Sequence, residues 1–359
     1  MEFALLLAGI FMGWSLGTND GANAFGTAVA TGVVKYKHAI TIIATFVVIG
    51  AFVAGAGNLT SVSDLATSNA VMFTHDDAEK AVAAGMADTL VLKSALKAAI
   101  VFVCAGATVF LMSYLKFPVS ANQSITGAII GWGLVYADYS DPAVKAVNLP
   151  QLGKFASTWL LNPLGAAIIS FVIIKLANKF VIPKLEKMTH YELMLKIGYL
   201  CAGAFASFSI GMNSSANVTA LYFDAIDDGI RTNLLTDARL TATIGGIAIA
   251  LGVLTYSKKV MMTVGSSIAP LTQIEGFMVI IGMALTIVIM GNTMHIPVST
   301  SQAVVGAVVG AGITKSFKCV NYGVFKNIAI AWVSSPLMAG LMAYIVGILT
   351  RGYFGSIFG

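Results

Sequence analysis

Ten stretches of this chain are apolar over lengths comparable to the hydrocarbon core of a bilayer. They run over about 2–34, 39–57, 94–115, 119–137, 156–182, 196–223, 239–256, 276–294, 297–314 and 324–350. A transmembrane helix needs about 20 such residues. Only 10% of the 359 residues are charged, against about 25% in soluble domains, so the chain cannot clothe a water-facing surface. The sequence therefore predicts an all-α polytopic membrane protein embedded in the lipid bilayer of the cytoplasmic membrane. The net charge of +5 does not point to nucleic acid, because the Lys and Arg residues lie mostly between apolar stretches, where they orient the chain. Cys104, Cys201 and Cys319 are scattered without a CxxC pair, which reads as packing rather than a disulfide framework or metal centre. The opening "MEFALLLAGIFMGW" has no basic segment ahead of its apolar run, so the first helix is expected to remain rather than be cleaved.

The two halves repeat one another. "GTNDGANAFGTAV" (17–29) aligns with "GMNSSANVTALYF" (211–223), "FPVSANQSITGAIIGWGL" (117–134) with "IPVSTSQAVVGAVVGAGI" (296–313), and "TWLLNPLGA" (158–166) with "AWVSSPLMA" (331–339). Three blocks in the same order indicate an internal duplication. Counting one crossing per apolar run gives five in each half, and an odd number inserts the second copy upside down. That is the inverted-repeat plan of secondary transporters, with broken or half helices meeting at the midplane. The expected organisation is a first repeat over 1–182, a basic cytoplasmic connection over 183–195, and a second repeat over 196–359.

The most anomalous residues are Asn19, Asp20 and Asn23, flanked by Gly17 and Gly21 inside the first apolar run. Glycine weakens a helix interior, and Asn and Asp compete for nearby backbone groups, so a break over 17–23 into two half-helices is expected. A carboxylate at membrane depth costs at least about 2.5–3.5 kcal/mol and needs a partner or a task. A lone Asn there would be an interhelical hydrogen bond. Three polar residues, with the two carboxamides echoed as Asn213 and Asn217 in the second copy, read instead as a hard-oxygen cage for a cation such as sodium.

The blocks "PVSANQS" (118–124) and "PVSTSQA" (297–303) each place Pro and a hydroxyl cap ahead of a Gly-spaced apolar helix. Each is expected to present a half-helix N-terminus, with its free N–H groups and positive dipole, inside the membrane. Ser120, Asn122, Gln123 and Ser124 would then face Ser299, Thr300, Ser301 and Gln302 to form an anion cradle. The spacings Gly127–Gly131 and Gly306–Gly310 are expected to mark close helix packing.

These blocks resemble the inorganic phosphate transporter (PiT) family, whose members repeat a signature close to GANDVANAFGT and a PVSTTH-like motif. The resemblance covers essentially the whole chain. It implies cation-coupled uptake of inorganic phosphate, with phosphate and sodium held between two inverted repeats, and it suggests a homodimer. Ser214 and Ile210 stand where the family's second signature keeps an Asp and a preceding His, and Gln123 and Gln302 stand where many members have the motif's His. Losing imidazole removes the side chain that titrates most readily near neutral pH and favours sodium, while Asp20 leaves a proton-coupled route open. Ser214 still offers a neutral oxygen to a cation.

The remaining candidates are bland. His38, His75 and His190 fall in connections, His295 borders the second PVS block, and Glu275 reads as an interfacial carboxylate. No cofactor pattern is visible. An intramembrane protease would need a second catalytic carboxylate at the repeat position, and no HExxH or GxSxG occurs. Paired broken segments favour occluding sites over an open channel. Among anions, helix N-termini and hydroxyls do not by themselves separate phosphate from sulfate.

Overall fold

The computed structural model describes residues 2–66, 87–136, 147–185, 191–225, 237–294 and 298–354. All regular structure among them is helical. In chain order the helices are α1 (Glu2–Ala30), α2 (Tyr36–Ala54), α3 (Leu59–Ala66), α4 (Ala87–Tyr114), α5 (Ala121–Tyr136) and α6 (Leu149–Phe180). The second half contributes α7 (Tyr191–Ser214), α8 (Ala216–Ala225), α9 (Ala238–Tyr256), α10 (Lys258–Ser266), α11 (Gln273–Met294), α12 (Thr300–Lys315) and α13 (Tyr322–Phe354). Among the described residues, seven segments are long and apolar enough to cross a membrane: 36–58, 92–114, 149–180, 191–222, 238–256, 273–291 and 322–353. The connections at 74–80, 137–145 and 226–236 lie outside the described residues, as do His75, His190 and His295.

Two expectations are corrected. First, α1 is unbroken over its 29 residues. Asn19, Asp20 and Asn23 bond to side chains and other segments rather than to their own backbone, and Gly17 and Gly21 serve close packing instead of unwinding. In the second copy the irregularity falls at Ser215, between α7 and α8, where the Ser215 N–H reaches the Gly211 carbonyl at 3.3 Å. Second, one apolar run is not always one full-length helix. The runs at 119–137 and 297–314 fold as α5 and α12, each of 16 residues, about 24 Å at 1.5 Å per residue. They are half-helices that begin inside the protein, as the PVS blocks imply.

Helix ends follow local chemistry. The C-terminus of α1 closes with Val33 N–H to the Ala28 carbonyl and Gly32 N–H to the Val29 carbonyl, and Gly32 takes the left-handed conformation at φ +76°. This double closure normally uses glycine. The end of α4 repeats it with Phe117 N–H to Met112 and Lys116 N–H to Ser113. There the left-handed residue is Lys116, at φ +68°, a conformation that costs a residue with a Cβ about 1–2 kcal/mol. Glu275 belongs to the start of α11: it accepts from the Thr272 N–H at 2.7 Å, and Lys315 pairs with it at 2.7 Å. It clasps the start of α11 to the end of α12, away from the buried polar cluster.

The duplication seen in the sequence recurs in the packing. A Cβ added at Gly17 would strike the Ile249 carbonyl, and one at Gly252 the Trp14 carbonyl. In the other copy Gly211 meets Val47 and Gly50 meets Phe208 in the same way. Likewise Gly127 and Gly131 of α5 lie against Pro336 and Gly340 of α13, while Gly306 and Gly310 of α12 lie against Pro163 and Ala167 of α6. Each half-helix therefore packs on the long proline-containing helix of the opposite copy. Without a hydrophobic drive between helices in lipid, such backbone approach supplies the association energy. Gly131→Val should cost about 1–3 kcal/mol or more through overpacking and lower the unfolding midpoint in detergent. Gly291→Ala, where nothing lies within 4 Å, should leave the midpoint unchanged or raise it.

Candidate functional site

Asp20 is 4% exposed. Its Oδ1 accepts from the Ser301 hydroxyl at 3.0 Å and from Asn23 Nδ2 at 3.2 Å. No Lys, Arg or His pairs with it among the described residues. Asn23 Nδ2 additionally reaches Thr300 Oγ1 and Ser301 Oγ, both at 3.2 Å. The predicted cation residues of α1 thus meet the predicted anion residues at the N-terminus of α12, across the two copies. The counterpart contact joins Asn217 Nδ2 of α8 to Asn122 Oδ1 of α5. Both Asn23 and Asn217 keep a buried Oδ1 with no hydrogen-bond partner. Among the described residues no three His, Cys, Asp or Glu side chains cluster, so the oxygens available here are one carboxylate, carboxamides and hydroxyls.

Asn19 and Asn213 do something different. Asn19 Oδ1 accepts the Val119 N–H at 3.0 Å, while its Nδ2 donates to Ser113 Oγ at 2.9 Å and to the Phe117 carbonyl at 3.0 Å. Asn213 Oδ1 accepts the Val298 N–H at 2.8 Å, and its Nδ2 donates to the Val298 carbonyl at 2.7 Å and to Ser214 Oγ at 3.3 Å. Buried backbone groups that leave secondary structure need such partners. Each Asn therefore clamps the extended PVS segment that leads into its copy's half-helix. Ser301 links the two roles, since it also donates to Asn19 Oδ1 at 3.3 Å.

At the half-helix N-termini the caps match the sequence reading. Ser120 Oγ accepts the Gln123 N–H and Ser299 Oγ accepts the Gln302 N–H, both at 3.2 Å, leaving each hydroxyl proton to be donated elsewhere. Ser124 instead turns back to the Ser120 carbonyl at 3.3 Å. Gln123 Oε1 and Gln302 Oε1 are buried and unpartnered. Gln123 also lines a mostly apolar cavity of about 830 Å³ between α5 and α13. The two short helices share no packed interface. Asn23 of α1 reaches the N-terminus of α12, and Asn217 of α8 that of α5, so the two expected anion motifs do not meet directly.

Three residues at the site carried no obvious flag. Asn162 of α6 donates to the Ser299 carbonyl at 2.6 Å, and Trp332 Nε1 of α13 donates to the Pro118 carbonyl at 3.1 Å. Both lie in the third repeated block, "TWLLNPLGA" and "AWVSSPLMA", and the repetition was the available signal. Ser113, which accepts from Thr18 and Asn19, sits in an ordinary apolar helix, and nothing in its surroundings marks it.

Bilayer-length helices, a buried polar cluster and two half-helices opening onto it define a multi-pass membrane transporter, not an enzyme. Residues 16–343 match the phosphate transporter family, and the chain belongs to that family. A Pyrococcus furiosus protein, provisionally named a phosphate permease, is 28% identical, over 95% of this chain and 94% of its own length. A sulfate permease of Bacillus subtilis is 26% identical, over 100% of this chain and 91% of its own. The fold is also that of a solved sodium-dependent phosphate transporter, with a TM-score of 0.76 at 23% identity over 97% of this chain and 98% of that one.

Proposed function

We propose that this protein is a secondary active transporter that carries inorganic phosphate together with sodium across the cytoplasmic membrane. The observation that supports it most is Asp20: a buried carboxylate held only by neutral donors, beside Asn23, whose carboxamide oxygen has no donor. Buried charge is tolerated when paired or ligating a cation, and orphaned acceptors are what a hard cation satisfies. In this reading Asp20 and Asn23 hold one cation, and Asn217 with Ser214 offers a weaker neutral counterpart. Asn19 and Asn213 position the half-helices rather than ligate. Phosphate lies against the first turns of α5 and α12, where first-turn N–H groups have no intrahelical partner. Its donors are Ser120, Asn122, Gln123, Ser299, Thr300, Ser301 and Gln302, with Ser124 behind them.

We further read residues 1–182 and 196–359 as inverted repeats joined by the cytoplasmic connection 183–195. The support is the antiparallel course of equivalent helices: Gly9 of α1 lies near Val218 and Tyr222 of α8, whereas Phe25 lies near Gly203 of α7. A homodimer is the family expectation carried over. The test is uptake of labelled phosphate into proteoliposomes with sodium and pH gradients imposed separately. A sodium gradient should drive accumulation that potassium or choline cannot replace. Equal uptake without sodium would shift coupling to protons. The Bacillus subtilis relative's name supports a second reading, a sulfate carrier, and labelled sulfate outcompeting phosphate would establish it.

A further inference from the structure

We propose that the corner formed by the C-terminus of α4 and the α9–α10 junction binds the phosphate headgroup of an anionic membrane lipid. Lys116, Lys258 and Lys259 line a cavity of about 580 Å³ there, and no carboxylate is among its described lining residues. Three features that are each unfavourable alone converge on it. Like charges gather with no carboxylate among the described lining residues. Lys258 and Lys259 occupy the first turn of α10, which contains no acidic residue, so they sit at the positive end of a helix dipole that favours anions. Lys116 holds the left-handed position ending α4, where glycine would be relaxed. A bound anion relieves the first two and gives the third a purpose, and outliers of this kind gather at functional positions.

The surroundings are those of a membrane interface rather than a water-filled vestibule. Lys258 lies 5.7 Å from the centre of the Tyr36 ring, and Lys259 lies 5.0 Å from the centres of both Tyr114 and Tyr256, with Tyr256 Oη 2.7 Å from its Nζ. Tyr and Lys concentrate at headgroup level. Beside them Tyr114, Leu115 and Met262 are exposed, apolar surface that acyl chains would cover. A charged headgroup over an apolar rim fits one amphiphile, a glycerophospholipid of net negative charge, and basic pockets between membrane helices take such headgroups. The cavity adjoins the loop that leads into α5, since Lys116 precedes Phe117, whose carbonyl accepts from Asn19.

The test is native mass spectrometry of the full chain from mixed micelles of phosphatidylglycerol and phosphatidylcholine at one to nine. Wild type should retain phosphatidylglycerol in preference to phosphatidylcholine and gain thermal stability from it. Lys258→Gln with Lys259→Gln should lower retention at least tenfold, from about fivefold per lysine. Lys116→Gly relaxes the backbone, so it should fold at least as well as wild type while still losing about fivefold. Unchanged retention in the Lys116→Gly chain and the double variant would overturn the proposal. So would equal retention of phosphatidylcholine, or displacement of the lipid by millimolar inorganic phosphate, which would assign the corner to the free anion.

Discussion

Asp20→Asn should lower sodium-driven phosphate uptake at least 100-fold while leaving the protein inserted and folded. The substitution keeps the side chain's size and one oxygen, which Ser301 can still donate to, but removes the only formal negative charge within the repeated motifs. A cation about 4 Å from that charge loses roughly 4 kcal/mol at an effective dielectric of 20, and each 1.36 kcal/mol is tenfold. Folding should not suffer, because a neutral group is cheaper to insert at membrane depth than a carboxylate. Initial uptake rates in proteoliposomes at matched protein content, with the unfolding midpoint measured in parallel, decide the matter. Near-normal uptake with unchanged sodium dependence would make Asp20 a structural hydrogen-bonding group and move the coupling ion elsewhere.

Much of this architecture is legible before any coordinates. Bilayer-length apolar runs, the repeated PVS blocks and the polar α1 cluster name the fold class, the half-helices and most residues that the structure brings together. What fails is the break at 17–23. The arguments for it were local: Gly17 and Gly21 weaken a helix, and Asn and Asp seek nearby backbone. Tertiary partners decide otherwise, since Gly17 and Gly21 are packed against the α9 backbone and Val253, and Asn19, Asp20 and Asn23 find α4, the segment leading into α5, and α12. Sequence periodicity cannot distinguish a glycine that permits unwinding from one that permits contact. Nor could it tell Asn19 from Asn23, four residues apart on one helix. The difference is which atom each side chain meets across nearly 100 or 280 positions of chain, and only the fold supplies that.

That difference makes Asn19→Leu the contrasting prediction. Leucine shares asparagine's branching but is larger, so it leaves no cavity and adds some overpacking, and it has no donor or acceptor. The Val119 N–H, the Phe117 carbonyl and the Ser113 hydroxyl would lose their partner in a place water does not reach. Each unsatisfied buried group costs about 1–3 kcal/mol, and even with non-additivity the total is on the order of 3 kcal/mol. The loss falls on the segment that aims α5, so uptake should disappear together with stability: a clear drop in the unfolding midpoint and a weakened elution peak. Asn213→Leu should behave alike, because Asn213 holds Val298 N–H and carbonyl in the other copy. Asp20→Asn separates activity from stability; the two Asn→Leu variants should couple them. A stable, correctly assembled Asn19→Leu protein that merely binds sodium more weakly would contradict the clamp and return Asn19 to the cation site.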